Sequence, residues 1–285
     1  MKKFDAVIIG SGQAGNPLAK RLSEEGKKVA LVESEWVGGS CVNYGCTPTK
    51  TLVGIAKKVS QVRRAEKYGI TVRNELPDYA LVHQQKEKVV RNSREGLKDS
   101  LTEDPNITLF HGKGRFSGYK EIHIQSPDGR SHSITGNWIF INTGVQPQIP
   151  DIAGLSIVKY YTSKTILDLK SLPKHLLIIG GGYIALEFSQ IFRRMGSRVT
   201  VIEKETRLLP KEDEDVEQMV TEILEKEGIQ IITGGTTERV TSVEDESVEA
   251  EVLSKGKSFK ITGTHLLVAV GTVPNTRELD LPKTG

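Results

Sequence analysis

Ala6-Val-Ile-Ile-Gly10-Ser11-Gly12-Gln13-Ala14-Gly15 decides the fold. Ala6–Gly10 is a short, wholly apolar run ending in glycine, the pattern of a buried parallel strand. A helical stretch, Leu18–Glu25, follows; Gly26 stops it, and Lys28–Glu33 reads as the next strand, ending in an acid. Strand, Gly-x-Gly-x-x-Gly, helix, strand and acid together form the dinucleotide fingerprint in its full context. Gly10 makes the tight turn, Gly12 lets the backbone approach a pyrophosphate, and Gly15 lets helix and strand pack closely. Ser11, Gln13 and Ala14 complete the loop, and the helix N-terminus behind it favours phosphate charge. Glu33, 23 positions after Gly10, is placed to accept from ribose hydroxyls; the plainer reading is a surface acid at a strand end. From the residues alone this unit holds either a flavin or a nicotinamide nucleotide.

The pattern occurs a second time. Leu176–Gly180 is a strand, and Gly180-Gly181-Gly182-Tyr183-Ile184-Ala185 is the Gly-x-Gly-x-x-Ala variant. The helix Tyr183–Met195 ends at Gly196, and Arg198–Glu203 is the following strand, with Glu203 again 23 positions after the first glycine. Two fingerprints imply two dinucleotides, a flavin to accept hydride and a nicotinamide to supply it. Glu203 favours NADH, because a carboxylate repels a 2′-phosphate. Lys204 and Arg207 follow directly and are able to accept one.

Between the fingerprints lies Gly38-Gly-Ser-Cys41-Val-Asn-Tyr-Gly-Cys46-Thr-Pro-Thr-Lys50, which holds both cysteines of the chain. Two thiols with four residues between them make a disulfide, half a metal site or two unrelated buried side chains. Zinc needs a second ligand pair, and there is no third cysteine. Residues five apart on a regular helix are separated by a rise of about 7.5 Å, whereas a disulfide wants its Cα atoms roughly 4.4–6.8 Å apart. A bond between Cys41 and Cys46 therefore requires a distorted turn, which Gly45 and Pro48 permit or impose. A strained disulfide is the more easily reduced.

Composition sets the bounds. The 285 residues suffice for two domains, and 37% hydrophobic with 26% charged residues fits a globular chain. The net charge is +3 with no basic block, so nucleic acid is not indicated. Lys2-Lys3 before Ala6–Gly10 mimics a signal peptide, but the apolar run is too short. No run approaches a membrane span. The expected location is the cytoplasm, where paired cysteines are more often catalytic than structural.

The other elements are read in order. Thr49 to about Lys67 and Tyr79 to about Leu101 are helices, the second with a charged face expected to be solvated. Ile107–Phe110, Glu121–Gln125, His132–Thr135 and Trp138–Ile141 are short strands, with Pro127-Asp-Gly129 a turn. They predict a small antiparallel meander on the first domain, with 139–142 returning to the main sheet. Val216–Lys226 is a helix behind the acidic run Glu212–Asp215. Ile229–Thr233 is a strand, Val240–Thr262 a second meander and His265–Val270 a returning strand. The fold class is α/β, with two Rossmann-like dinucleotide-binding domains, each a parallel sheet with a small antiparallel β-meander. Residues 1–150 and 151–271 are the expected domains, and 272–285 begins a return to the first.

The cysteine stretch closely resembles the active-site motif of the pyridine nucleotide–disulfide oxidoreductases, such as dihydrolipoamide dehydrogenase, glutathione reductase and mercuric reductase. Its Cys-Thr-Pro-Thr-Lys ending is most similar to the mercuric-reductase-like members. The resemblance covers almost all of the chain. It implies FAD on the first domain, NAD(P)H on the second, and hydride passing through flavin to a Cys41–Cys46 disulfide and on to a thiophilic or disulfide substrate. It implies that Cys46 is the flavin-side thiolate and Cys41 the interchange thiol. Lys50 matches the family's flavin-side lysine and Glu187 its glutamate partner. Tyr183 matches the ring covering the nicotinamide site. Thr143-Gly144-x-x-Pro147 matches a segment closing over the flavin, and Gly112-x-Gly114 a position facing adenine. Gly39, Ser40, Val240 and Gly271 are further cofactor contacts on the same ground.

Family members continue beyond the position of Gly285 with the rest of the FAD domain and a dimerisation domain carrying a His–Glu pair. The chain is accordingly expected to be mainly monomeric. Mercuric ion, lipoamide or another disulfide are the substrates the resemblance allows. A nucleotide-binding fragment without turnover is the reading from a different class.

Overall fold

The computed structural model describes residues 1–72, 77–244 and 247–284. They form two compact units, one of Met1–Thr47, Lys88–Gln146 and Val273–Gly285, the other of Pro48–Glu87 and Pro147–Thr272. The described residues among 48–87 fall in the second of these units.

Unit one is built on β1 (Lys2–Ile9), α1 (Gly15–Glu24) and β2 (Val29–Glu33). β2 is buried throughout and β1 over most of its length, as expected of strands covered on both faces. Each fully buried Val, Leu or Ile there contributes about 1.5–3 kcal/mol. α2 (Gly39–Tyr44) and the start of α3 (Cys46–Arg63) follow β2, and α4 spans Tyr79–Thr102. Then come β3 (Ile107–His111), β4 (Lys113–Gly118), β5 (Glu121–Gln125) and β6 (Ser131–Ile141). The strand order is β3-β2-β1-β6-β5-β4. β6 pairs parallel with β1 from Lys2↔Ile134 to Ile9↔Ile141 and antiparallel with β5, so the meander is an extension of the parallel sheet.

One expectation is corrected here. The strands expected at 132–135 and 138–141 are one strand, and Gly136 is no break. A Cβ there would lie 2.9 Å from Val7 Cγ2, so the glycine serves close packing inside the sheet. Gly112 precedes and Gly114 lies within strand β4. A Cβ on Gly114 would sit 3.1 Å from Val32 Cγ1 and 3.5 Å from Ile122 and Ile9.

Unit two follows a short strand, β7 (Val145–Pro147). It contains β8 (His175–Ile179), α5 (Tyr183–Met195), β9 (Arg198–Ile202), α6 (Glu214–Lys226) and β10 (Gln230–Ile232). β11 (Gly235–Ser242), β12 (Val248–Ser254) and β13 (Lys257–Gly263) form an antiparallel sheet, followed by β14 (His265–Val268), and β15 (Thr272–Pro274) leads back into unit one. The parallel sheet runs β10-β9-β8-β14. α5 buries Ala185, Leu186, Phe188, Ser189, Ile191, Phe192 and Met195, one stripe at helical spacing, and stops at Gly196 with φ +123°. Leu177, Ile179, Ile202, Leu266 and Val268 of the parallel strands share one core with Val240, Val248, Ala250 and Val252 of the meander.

The charged face of α4 is not wholly solvated. Lys86 is 2% exposed, and its Nζ donates to the Leu167 carbonyl at 2.6 Å and to Glu87 Oε1 at 2.5 Å. Among the described residues no helix is long and apolar enough to cross a membrane.

Candidate active site

In unit one the first glycine turns as the fingerprint requires. Gly10 has φ +107°, and a Cβ on it would overlap the Asn142 carbonyl oxygen. A Cβ on Gly15 would overlap the Gly10 carbonyl oxygen, so this position admits glycine alone. The middle glycine differs. The Cβ position of Gly12 meets only the Gly39 Cα, at 4.0 Å. Gln13 and Ala14 are exposed beside it, and α1 starts without a side-chain cap. In its first turn the Asn16 N–H donates to the Gly12 carbonyl at 3.1 Å and Pro17 has no N–H, so the anion-facing donor of this turn is the Gly15 N–H.

Glu33, expected as a ribose acceptor, makes two backbone contacts of its own. Oε2 accepts from the Ser11 N–H at 2.9 Å, and Oε1 from the Glu35 N–H at 2.8 Å. The Ser11 hydroxyl donates to Asn16 Oδ1 at 2.8 Å, and the Ser11 carbonyl accepts from the Gly38 N–H at 2.8 Å. The acid thus shapes the glycine loop, and the loop in turn holds the start of the cysteine stretch. Further along, the Gly112 N–H donates to the Glu33 carbonyl at 2.8 Å, which brings the Gly112-x-Gly114 segment beside the same acid.

Unit two repeats the device. Glu203 Oε2 accepts from the Gly181 N–H, and Oε1 accepts from the Glu205 N–H at 2.8 Å. Gly180 has φ +112° against the Ala269 carbonyl. Among the described residues Gly182 has nothing within 4 Å of its Cβ position, and α5 also starts without a side-chain cap. Here Ala185 takes the third position fully buried. Ile184 is half-buried and Tyr183 70% exposed. The open middle glycine above an uncapped helix start, present in both units, fits the diphosphate of a dinucleotide.

The cysteines lie in unit one across a break between helices. α2 carries Cys41 and α3 begins at Cys46, with Gly45 between them outside helical geometry, at φ −129° and ψ −115°. A Cβ on Gly45 would stand 2.8 Å from the Ser40 carbonyl oxygen and 3.2 Å from the Cys41 Cα. Pro48 sits in the first turn of α3, where its missing N–H costs nothing. The distorted turn expected between the cysteines is this break. Both are thiols in this structure, Cys41 half-buried and Cys46 exposed. Cys41 lies within hydrogen-bonding reach of the Cys46 thiol and backbone N–H; burial first, and Cys46 second, push the Cys41 thiol up to about 11. Ser40 is exposed and Gly39 half-buried with φ +58°.

The α2 segment is tied down from its far end. Asn43 Nδ2 donates to the carbonyls of Gly39, Val37 and Trp36 at 2.8, 3.0 and 3.3 Å. Asn43 Oδ1 accepts from Arg94 Nε at 2.7 Å, and the Arg94 guanidinium lies 4.1 Å from the Trp36 ring centroid. The Tyr44 hydroxyl donates to Glu35 Oε2 at 3.3 Å; burial first and Glu35 next push it up to about 12.

Thr143 and Gly144 are held by a residue that sequence reasoning did not single out. The Asn275 N–H donates to the Gly144 carbonyl at 3.0 Å, and its Nδ2 to the Thr143 carbonyl at 2.9 Å. In the sequence this residue falls in the stretch 272–285, read only as a return to the first domain. Within unit two, Lys50 Nζ donates to Glu187 Oε1, 137 positions apart in sequence. The Gly271 carbonyl accepts from the Gln148 N–H at 2.9 Å. Val240 is fully buried in the meander core, with its N–H donating to the Ala153 carbonyl at 2.8 Å.

Known proteins resemble this chain over nearly its whole length. Residues 4–284 match the family described as pyridine nucleotide-disulphide oxidoreductase. The probable pyridine nucleotide-disulfide oxidoreductase RclA of Escherichia coli (strain K12) is 36% identical over 98% of this chain and 59% of its own length. A mercuric reductase of Staphylococcus aureus is 33% identical over 99% of this chain and 50% of its own. The solved Cu(II) complex of the HOCl-induced flavoprotein disulfide reductase RclA from Escherichia coli superposes with a TM-score of 0.86 at 36% identity, covering 100% of this chain and 60% of that one. The chain thus spans about half to three fifths of the length of these relatives.

Proposed function

As the chain belongs to the pyridine nucleotide-disulphide oxidoreductase family, we propose that it serves an FAD-dependent oxidoreductase in which electrons from NAD(P)H reduce a Cys41–Cys46 disulfide and pass to a thiophilic or disulfide substrate. The observation that carries this reading is the repeated acid clamp, Glu33 on Ser11 and Glu203 on Gly181, in a chain with one cysteine pair parted at Gly45. FAD is assigned to unit one, on Gly10–Gly15, Glu33, Gly39, Ser40, Gly114, Thr143 and Gly144. NAD(P)H is assigned to unit two, on Gly180–Ala185, Tyr183 and Glu203. When bound, the flavin supplies a two-electron carrier between nicotinamide and cysteines.

The protein's own part is as follows. Two electrons and two protons convert the disulfide into the Cys41 and Cys46 thiols. Cys41, with its thiol up at about 11, stays protonated at neutral pH and needs a base to act as the interchange nucleophile. Glu187 accepts from Lys50 and holds the ammonium in place. Glu203, fixed by two backbone N–H groups, presents a carboxylate to the ribose and disfavours a 2′-phosphate. Arg207 is turned to the Pro210 carbonyl at 3.3 Å and Lys204 lies 3.6 Å from Glu205. NADH is therefore the assigned donor.

The deciding experiment is the visible spectrum of the purified chain with FAD, before and after anaerobic NADH. Flavin bands that bleach support the reading. A protein that takes up no FAD would defeat it. Mercuric ion, Cu(II) (the ion in the solved relative's complex) and lipoamide are then compared as acceptors for NADH oxidation.

A further inference from the structure

We propose that Asn43, oriented by Arg94, is the positioning residue that holds Cys41 against Cys46 and so sets the dithiol–disulfide equilibrium of the pair. The inference rests on the reading that the pair is redox-active. α2 has six residues, too few to hold a helix by themselves. Its entry is the turn at Gly38 and Gly39, with φ +97° and +58°, a conformation that costs glycine little and so holds its shape only through its contacts. The Gly38 N–H donates to the Ser11 carbonyl at 2.8 Å and the Gly39 N–H to the Trp36 carbonyl at 3.2 Å, and Asn43 supplies the side-chain contacts. Its amide donates into three carbonyls, two in the incoming loop and one in the first turn of α2.

The amide orientation is fixed by chemistry. Arginine has no acceptor and carbonyls have no donor, so Oδ1 must face Arg94 and Nδ2 must face Trp36, Val37 and Gly39. Arg94 is itself held by its stack on Trp36. Asn43 lies two residues after Cys41 and two before the break at Gly45, so a slack amide lets α2 move while α3 keeps Cys46. The Cys41 sulfur then spends less time within bonding reach of its partner.

The test reads the thiols directly and needs neither flavin nor nicotinamide. The chain is equilibrated anaerobically with mixtures of reduced and oxidised glutathione, and free thiols are trapped with a maleimide and counted by mass. Bond formation joins the two sulfurs and releases two electrons and two protons; glutathione disulfide takes them and becomes two thiols. Asn43→Asp is isosteric and keeps an acceptor for Arg94, but turns an acceptor onto three carbonyls. It is expected to lower the equilibrium constant for the disulfide at least tenfold. Arg94→Gln, at the surface end of the network, is expected to lower it at least threefold, and Arg94→Lys to restore most of that loss.

Constants within twofold of wild type in both Asn43→Asp and Arg94→Gln overturn the proposal. A loss in Asn43→Asp with none in Arg94→Gln overturns the part given to Arg94. If Asn43→Asp fails to fold by far-ultraviolet circular dichroism, the Arg94 variants decide. A wild-type chain that forms no disulfide in any mixture refutes the redox reading itself, an outcome distinct from an unchanged constant in the variants.

Discussion

Glu33 accepts the backbone N–H of Ser11 at 2.9 Å, so the acid ending β2 and the first turn of the glycine loop are one hydrogen-bonded piece. Glu33 is buried, and its other oxygen takes the Glu35 N–H. Glu33→Ala leaves two backbone donors without their acceptor, at a cost of about 2–4 kcal/mol. Glu33→Gln keeps one acceptor and is expected to lose about half as much. Thermal unfolding without added nucleotide checks this; an unchanged midpoint in Glu33→Ala would show that the loop holds its shape without the acid.

The glycines of one fingerprint should fail in different ways. Gly15→Ala drives a Cβ into the Gly10 carbonyl and is expected to give a protein that folds poorly or not at all. Gly12→Ala has room, so stability without cofactor should stay within about 0.5 kcal/mol of wild type. Its affinity for FAD should nevertheless drop more than tenfold, because the added methyl occupies the space over the loop. Gly182→Ala should do the same to NADH binding. Calorimetric titration alongside urea unfolding separates the two effects.

Lys50 and Glu187 form an ion pair whose lysine is 64% exposed. Such a pair adds about 0–1 kcal/mol to stability. A role in electron transfer predicts the opposite balance for Lys50→Ala, with little change in unfolding and at least a tenfold slower bleaching of bound flavin by NADH. Stopped-flow absorbance gives the rate, and a wild-type rate in Lys50→Ala would confine the pair to structure.

Cys41 ties stability to pH in the reduced protein alone. Burial and Cys46 raise its thiol from 9.0 to about 11, which favours the neutral form in the folded state. That contribution is fully present below pH 9 and is lost as pH rises through about 11. The dithiol form should lose urea resistance between pH 9 and 11, and Cys41→Ser should lose less. Equal losses in the two proteins would place the pH dependence elsewhere.

Much of this was legible in the residues. α5 runs over Tyr183–Met195 as its apolar spacing and closing glycine require, and β5 over Glu121–Gln125. The break at Gly45 followed from the distance between two thiols. What escaped depends on partners remote in sequence. Gly136 reads as a break until Val7 is seen against it. A spacing of 23 places Glu33 near the loop but does not say that it binds Ser11. Lys86 looks like any solvated lysine of a charged helix until the Leu167 carbonyl, 81 positions away, closes over it. Asn43 gives no signal either, since its targets are backbone carbonyls that every residue possesses.

The glycine loop also depends on residues made much later. The Gly10 turn lies against Asn142, whose N–H donates to the Ile9 carbonyl at 2.8 Å, and β1 lies beside β6 along its whole length. At synthesis rates of roughly 5–20 residues per second, the ribosome needs on the order of ten seconds to travel from one to the other. During that interval the nascent chain bears a complete fingerprint and an unpaired apolar strand edge, open to the wrong neighbour. Closure of the glycine loop during synthesis therefore has an earliest moment, set by the emergence of residue 142.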